Sequence, residues 1–130
     1  MKNLRIAIIG YGYWGPNLVR NFSKHENCKV TYVIDKLQDR LKEVRSLYPE
    51  INASTSFEQV LTSQDVDAVV IATPVSTHYD IAKKALEHGK HVLVEKPMTN
   101  SVKHAKELIE LSKKKKKVLM VDHTYLYTGA

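Results

Sequence analysis

Asp35 is the side chain of this sequence best placed to act on a bound molecule, as an acceptor. Asp35 follows Gly15 by twenty residues, and Gly15 closes the run Gly10-Tyr11-Gly12-Tyr13-Trp14-Gly15. A carboxylate at that spacing can accept hydrogen bonds from both hydroxyls of a ribose, while the glycine run suits a pyrophosphate. Gly10 permits a tight turn, Gly12 lets the main chain approach phosphates, and Gly15 lets a helix pack close to a strand. The N-terminus of that helix adds unbonded N–H groups and a partial positive charge. A bare G-x-G-x-x-G is a weak signal. Here the apolar run Leu4 to Ile9 precedes it, a helical pattern follows it, and the acid closes the next strand, Lys29 to Ile34. Together these parts describe a site for a dinucleotide.

The elements that must hold these residues alternate strictly. A first helix is expected from about Tyr13 to Lys24, with Pro16 tolerated in its first turn and Leu18, Val19 and Phe22 on its apolar face. A second is expected from Leu37 to Leu47, ended by Tyr48-Pro49. A weak strand near Asn52-Ala53-Ser54 and a small helix capped by Ser56 come next. Asp67 to Thr73 is an apolar run of the kind buried on both faces of a parallel sheet. Thr77 to His88 is helical and stops at Gly89, and His91 to Glu95 is the following strand. Asn100 or Ser101 caps a long helix to about Lys115, and Val118 to Asp122 is the last strand. The expectation is an α/β fold, a doubly wound parallel sheet (Rossmann fold) of about six strands in the order 3-2-1-4-5-6. Ligands of such sheets bind beyond the carboxyl ends of the strands. Gly10 to Gly15, Asp35, Thr73-Pro74 and Glu95-Lys96-Pro97 all fall there.

Glu95-Lys96-Pro97, the glycine turn, Ala72-Thr73-Pro74 and His78 four residues beyond Pro74 together resemble the Gfo/Idh/MocA oxidoreductases. These are NAD(P)-dependent dehydrogenases of sugars, inositols and related polyols, and the resemblance runs over essentially the whole chain. It implies that Lys96 is catalytic, reaching the nicotinamide ribose and the reacting hydroxyl. An ammonium there can orient the hydroxyl, stabilise developing alkoxide charge and share a proton relay. The proline fixes the loop, and its peptide bond can be cis. Glu95 is expected at the cofactor edge as an ion-pairing or capping group rather than a catalyst. Thr73 and Pro74 are expected to line the channel between adenosine and nicotinamide. His78 is either a cofactor contact or a packing group in a first helical turn. Tyr13 and Trp14 can turn main-chain N–H groups to the pyrophosphate, their rings either packing on the sheet or covering the nicotinamide. His123, after the last strand, is either a nicotinamide contact or an exposed histidine. As an ionised carboxylate Asp35 repels a 2′-phosphate, and Lys36 alone is a poor substitute for an arginine clamp, so NAD is expected over NADP.

Composition bounds the alternatives. The 130 residues suffice for one sizeable core, and 43% of them are hydrophobic. No apolar stretch approaches a membrane span, so no membrane partner is expected. Met1-Lys2-Asn3 leads straight into a strand, and Cys28 is the lone cysteine, so a cytoplasmic protein without an internal disulfide is expected. Five of the charges behind the formal +6 come from Lys113 to Lys117 at a helix end, leaving the remainder near neutral. Without interleaved aromatics or a recognisable motif, that run reads as a solvated helix end, and no nucleic acid is expected as a partner. His25, His88, His91 and His104 lack paired spacing, and no metal site is expected.

Residues 1–124 are expected to form the dinucleotide-binding domain and 125–130 the start of a crossover to a C-terminal substrate domain. The resemblance implies that this second domain carries most of the substrate pocket and the remaining proton-relay groups. The chain alone is then expected to bind NAD and turn over little or nothing, and the full-length protein to be a homo-oligomer. Gly12 to Phe22 and His123-Thr124-Tyr125 look most like members that oxidise the 3-hydroxyl of UDP-linked N-acetyl sugars. A sugar or sugar-nucleotide is therefore the expected small-molecule substrate. The competing reading is a non-catalytic NAD(P)-binding sensor or assembly module, which has no need of a lysine at the nicotinamide end. A methyltransferase shares the glycine turn and the acid, but Gly15 and Glu95-Lys96-Pro97 argue against it.

Overall fold

The computed structural model describes residues 3–122. Six parallel strands form one sheet: β1 (Leu4–Ile9), β2 (Cys28–Ile34), β3 (Asn52–Ser54), β4 (Ala68–Ile71), β5 (His91–Glu95) and β6 (Leu119–Asp122). Their order is β3-β2-β1-β4-β5-β6, the order expected from the sequence. The crossovers are α1 (Gly15–Lys24), α2 (Gln38–Leu47), α3 (Phe57–Thr62), α4 (His78–Glu87) and α5 (Val102–Lys115), with a short 3₁₀ turn at Val75–Thr77 before α4. No helix among the described residues is long and apolar enough to cross a membrane.

Alternation along the central strands divides the core into two layers. Ile6 and Ile8 of β1 and Ala68 and Val70 of β4 pack with Val19 of α1 and Leu41 and Val44 of α2. Ala7, Ile9, Val69 and Ile71 point the other way, against Ala82, Ala85 and Leu86 of α4 and Leu108 of α5. β2 breaks the period. Ile6 pairs with Val30 but Ala7 pairs with Tyr32, so Thr31 is an extra residue. A bulge of this kind shifts every later side chain by one position. Val30 and Val33 therefore share the α1/α2 layer, whereas Ile34 lies in the other. The buried Thr31 hydroxyl donates to the Asp65 carbonyl, 2.8 Å away.

Several boundaries differ from the sequence expectation for local reasons. α1 begins at Gly15 rather than Tyr13, because Tyr11 to Trp14 are spent on the turn. Ser56 occupies the N-cap position of α3 without a side-chain bond, and the Ser54 hydroxyl accepts from the Ser56 N–H instead. Ser101 does cap α5, accepting from the His104 N–H, and Lys116 ends that helix in the left-handed conformation. Near the opposite edge, the largely buried Lys90 donates to the Ser63 and Val66 carbonyls, and burial pushes its ammonium below the ordinary lysine range.

The register brings one row of the sheet to a common edge. Ser54, Ile34, Ile9, Ile71, Val94 and Val121 are successive partners across it. Asp35, Gly10, Ala72 and Glu95 each follow a member of this row. Gly10 has φ +101°, and a Cβ there would stand 2.8 Å from the Ala72 carbonyl oxygen. At Gly15 a Cβ would stand 2.6 Å from the Gly10 carbonyl oxygen, so α1 is pressed against the turn at a distance only glycine allows. Gly12 is different: its nearest neighbour would be Arg40 Nη1 at 3.5 Å, an ordinary contact. Gly15→Ala is expected to lower the unfolding free energy by about 1–3 kcal/mol through overpacking. Gly12→Ala should stay within about 0.5 kcal/mol of the parent. Paired denaturant titrations check both.

Candidate functional site

Beyond the strand ends lies a cleft of about 780 Å³. The glycine turn contributes Gly10, Gly12, Tyr13 and Trp14, and the end of β2 contributes Ile34, Asp35, Lys36 and Leu37. Arg40 of α2, Thr55 and Phe57 after β3, and Ala72, Thr73, Pro74, Thr77 and Ile81 around β4 complete it. Its walls are mostly apolar with a few convergent polar groups, the usual make-up of a small-molecule site.

Asp35 is buried, with 6% of its surface exposed. One carboxylate oxygen, Oδ2, accepts from the Tyr11 N–H at 2.7 Å and from Arg40 Nη1 at 3.3 Å, while Oδ1 accepts from the Leu37 N–H at 2.8 Å. The side chain thus ties the glycine turn to the end of β2 and begins α2 at once. A carboxylate has about four acceptor positions, and three are in use. About one remains open to a ligand hydroxyl, and a second opens when Arg40 moves away. Arg40 is free to do so, since its side chain is 46% exposed.

Arg40 is the residue that the sequence reading missed, where Lys36 was the only cation considered beside Asp35. A signal did exist: Arg40 lies in the first turn of α2, where the helix macrodipole disfavours a cation. A guanidinium there needs a nearby anion, and Asp35 is that anion. Thr55, Phe57 and Ile81 were also unforeseen as lining residues, because only the tertiary path brings them to this edge.

The start of α1 is the second polar feature. Trp14 at its N-cap makes no side-chain cap hydrogen bond, and no acid stands in the first turn. Among the five described helices α1 alone lacks both, since α2, α3 and α4 carry Asp39, Glu58 and Asp80 and α5 has Ser101. Its N–H groups follow Gly12, whose nearest neighbouring side chain is the Arg40 guanidinium. That arrangement accepts an anion. The ring of Tyr13 is 85% exposed and meets Trp14 edge-on, with centroids 4.9 Å apart. The ring stands at the cleft rather than on the sheet.

The other expected site residues are distributed as follows. Thr73 and Pro74 line the cleft, and Thr77 fastens them. The Thr77 hydroxyl lies 2.7 Å from the Pro74 carbonyl and 2.6 Å from the Thr73 hydroxyl. Having one proton, it donates to the carbonyl and accepts from Thr73. Gly15 lies buried beneath the turn. His78 is buried behind the cleft rather than on its lining, with 1% exposed and both ring nitrogens on main-chain carbonyls. Glu95 ends β5, and the exposed Lys96 follows it, joined to Pro97 by a cis peptide bond. These two stand on the next strand outward from β4, beyond the cleft's lining residues. His123 lies outside the described residues. No cluster of potential metal ligands occurs among the described residues.

Known proteins share this fold. The family model described as an oxidoreductase family with an NAD-binding Rossmann fold, Gfo/Idh/MocA, matches residues 4–123. The uncharacterized oxidoreductase YdgJ of Escherichia coli is 33% identical over 121 residues, which are 93% of this chain and 34% of that protein. The crystal structure of an NAD-binding protein from Listeria innocua superposes with a TM-score of 0.84 at 36% identity, covering 92% of this chain and 35% of that one. A variant of KijD10, a 3-ketoreductase from Actinomadura kijaniata in complex with TDP-benzene and NADP, superposes with a TM-score of 0.89 at 25% identity, covering 96% and 40%. The chain spans about a third of the length of the curated relatives it matches.

Asp35→Ala is expected to cost about 1–3 kcal/mol of stability without any ligand, because the Tyr11 and Leu37 N–H groups lose their acceptor. Thermal or denaturant unfolding of the two proteins measures it. An unchanged midpoint would show that Asp35 is not a structural tie.

Proposed function

The chain belongs to the Gfo/Idh/MocA oxidoreductases, and from that premise we propose that it is the cofactor-binding part of a nicotinamide-dependent dehydrogenase acting on a sugar or sugar-nucleotide hydroxyl. The observation that carries the reading is a buried carboxylate with acceptor capacity to spare, one turn away from an uncapped helix start. Asp35 suits the adenosine ribose, Gly10 to Gly15 and the N–H groups of α1 suit the pyrophosphate, and Thr73 and Pro74 continue the path toward β5. Gly12 lines the cleft without a side chain, and the group nearest to it is the half-exposed Arg40 guanidinium.

The nicotinamide ring, when bound, supplies the hydride acceptor or donor. The chain's own part is to hold and orient. β5 lies two strands, roughly 10 Å, from β1, a span suited to the far half of an extended dinucleotide. Lys96 directly follows that strand. Its ammonium donates to the reacting hydroxyl and stabilises charge that develops on the oxygen. The sugar assignment draws support from the 3-ketoreductase KijD10 with its TDP ligand. A UDP-linked N-acetyl sugar is one member of that class. The second domain expected from the resemblance carries the other relay groups and most of the specificity.

Arg40 alters the cofactor reading. Its guanidinium neutralises Asp35 in place and can turn to a 2′-phosphate, so the arginine thought to be lacking is present. NAD is the cofactor and NADP is accepted as well. Calorimetric titration of the chain with each dinucleotide is expected to give saturable binding of both, tighter for NAD. Arg40→Ala should weaken NADP by about 10-fold or more, the value of a charged hydrogen bond, and NAD much less. Binding of neither would overturn the reading. In the full-length protein, Lys96→Ala is expected to cut kcat far more than it weakens NAD binding. Comparable turnover would make Lys96 a solvated charge and favour the sensor module.

A further inference from the structure

We propose that His78 is a positioning residue whose imidazole ties the cofactor-side loop after β4 to the segment carrying Lys96. Its Nδ1 stands 2.9 Å from the Pro97 carbonyl oxygen and its Nε2 stands 2.7 Å from the Thr73 carbonyl oxygen. Carbonyl oxygens only accept, so the ring nitrogen that carries the proton donates to the carbonyl facing it, and the ring fills the gap between the two segments.

The position of the ring gives the tie its consequence. Thr73 lines the cleft and is itself held through Thr77 and Pro74, so that end of the tie is anchored. Pro97 is the neighbour of Lys96, in the segment between β5 and α5, where Lys96, Pro97 and Asn100 are exposed and Met98 packs against the core. His78 sits between them in the first turn of α4 with 1% of its surface exposed. It therefore sets the placement of the Lys96 main chain relative to the loop along which the cofactor is proposed to lie. It touches neither cofactor nor substrate in doing so.

The link to Lys96 chemistry rests on the function proposed above, whereas the tie itself does not, and the experiments separate the two. Ring ¹⁵N spectra of the ¹⁵N-labelled chain read the bonded ring directly. The expected result is a His78 N–H resonance with slow exchange; a rapidly exchanging ring proton would overturn the bonded ring. His78→Phe keeps an aromatic ring without donors, and His78→Gln keeps one donating nitrogen. In hydrogen exchange the amides of Lys96, Met98 and Thr99 should open about 10-fold faster in the Phe variant, with a smaller change in the Gln variant. Amides near Asp35 should stay as in the parent. Unchanged exchange in both variants would overturn the tie, and if the Phe variant does not fold, the Gln variant alone decides. In the full-length protein both variants should lower kcat with KM for NAD nearly unchanged. If the ring and exchange results hold while Lys96→Ala turns over normally, the tie stands and the dehydrogenase reading falls.

Discussion

Three stretches of main chain converge at Gly10, and the site depends on how little room they leave. The Ala72 carbonyl closes one side and α1 closes the other through Gly15, both at separations that exclude a methyl group. This crowding lets a helix start directly above the sheet edge instead of one side chain away from it. Of the three glycines, two are required by the protein's own backbone, while the third meets the Arg40 guanidinium at ordinary contact distance.

Asp35 works on the same principle of double use. Its contacts to Tyr11 and Leu37 hold the cleft together before any ligand arrives. A carboxylate that is already fixed loses little freedom on binding a hydroxyl, which is the physical content of a preorganised site. The remaining contact, to Arg40, is the exchangeable one. The guanidinium is half exposed and lies 3.3 Å from its partner, whereas the two main-chain donors are closer. Stability and recognition thus draw on different lone pairs of one side chain.

The fold was legible because its signals were local and repeated. Continuous apolar strands, Gly89 after α4 and Ser101 before α5 each mark an element from neighbours in sequence, and the strict alternation with the glycine turn after β1 favours the strand order observed. Thr31 was not legible. Val30-Thr31-Tyr32-Val33 reads as an ordinary strand, and only the pairing with β1 reveals the extra residue. The site divided along the same line. The glycine turn, Asp35, Thr73 and Pro74 could be placed from strand ends alone and do line the cleft. His78 was located near the right loops, yet its two carbonyl partners come from segments nineteen and five residues away. Arg40 required knowing the phase of α2, which a helical periodicity without tertiary contacts leaves open.

The distribution of cations has a kinetic meaning. Lys36 and Arg40 stand around one buried carboxylate, beside a helix end of partial positive charge and apolar walls from Ile9, Ile34, Phe57 and Ile81. Apolar walls of low polarisability concentrate field lines, so an anion diffusing near this mouth is drawn inward. The much larger charge of Lys113 to Lys117 lies where α5 ends and β6 begins, at the other end of the strands. That is roughly 15 Å away by strand length, beyond a Debye length of about 8 Å in physiological salt. The field at this mouth is therefore set by the groups around Asp35 rather than by the net charge of the molecule.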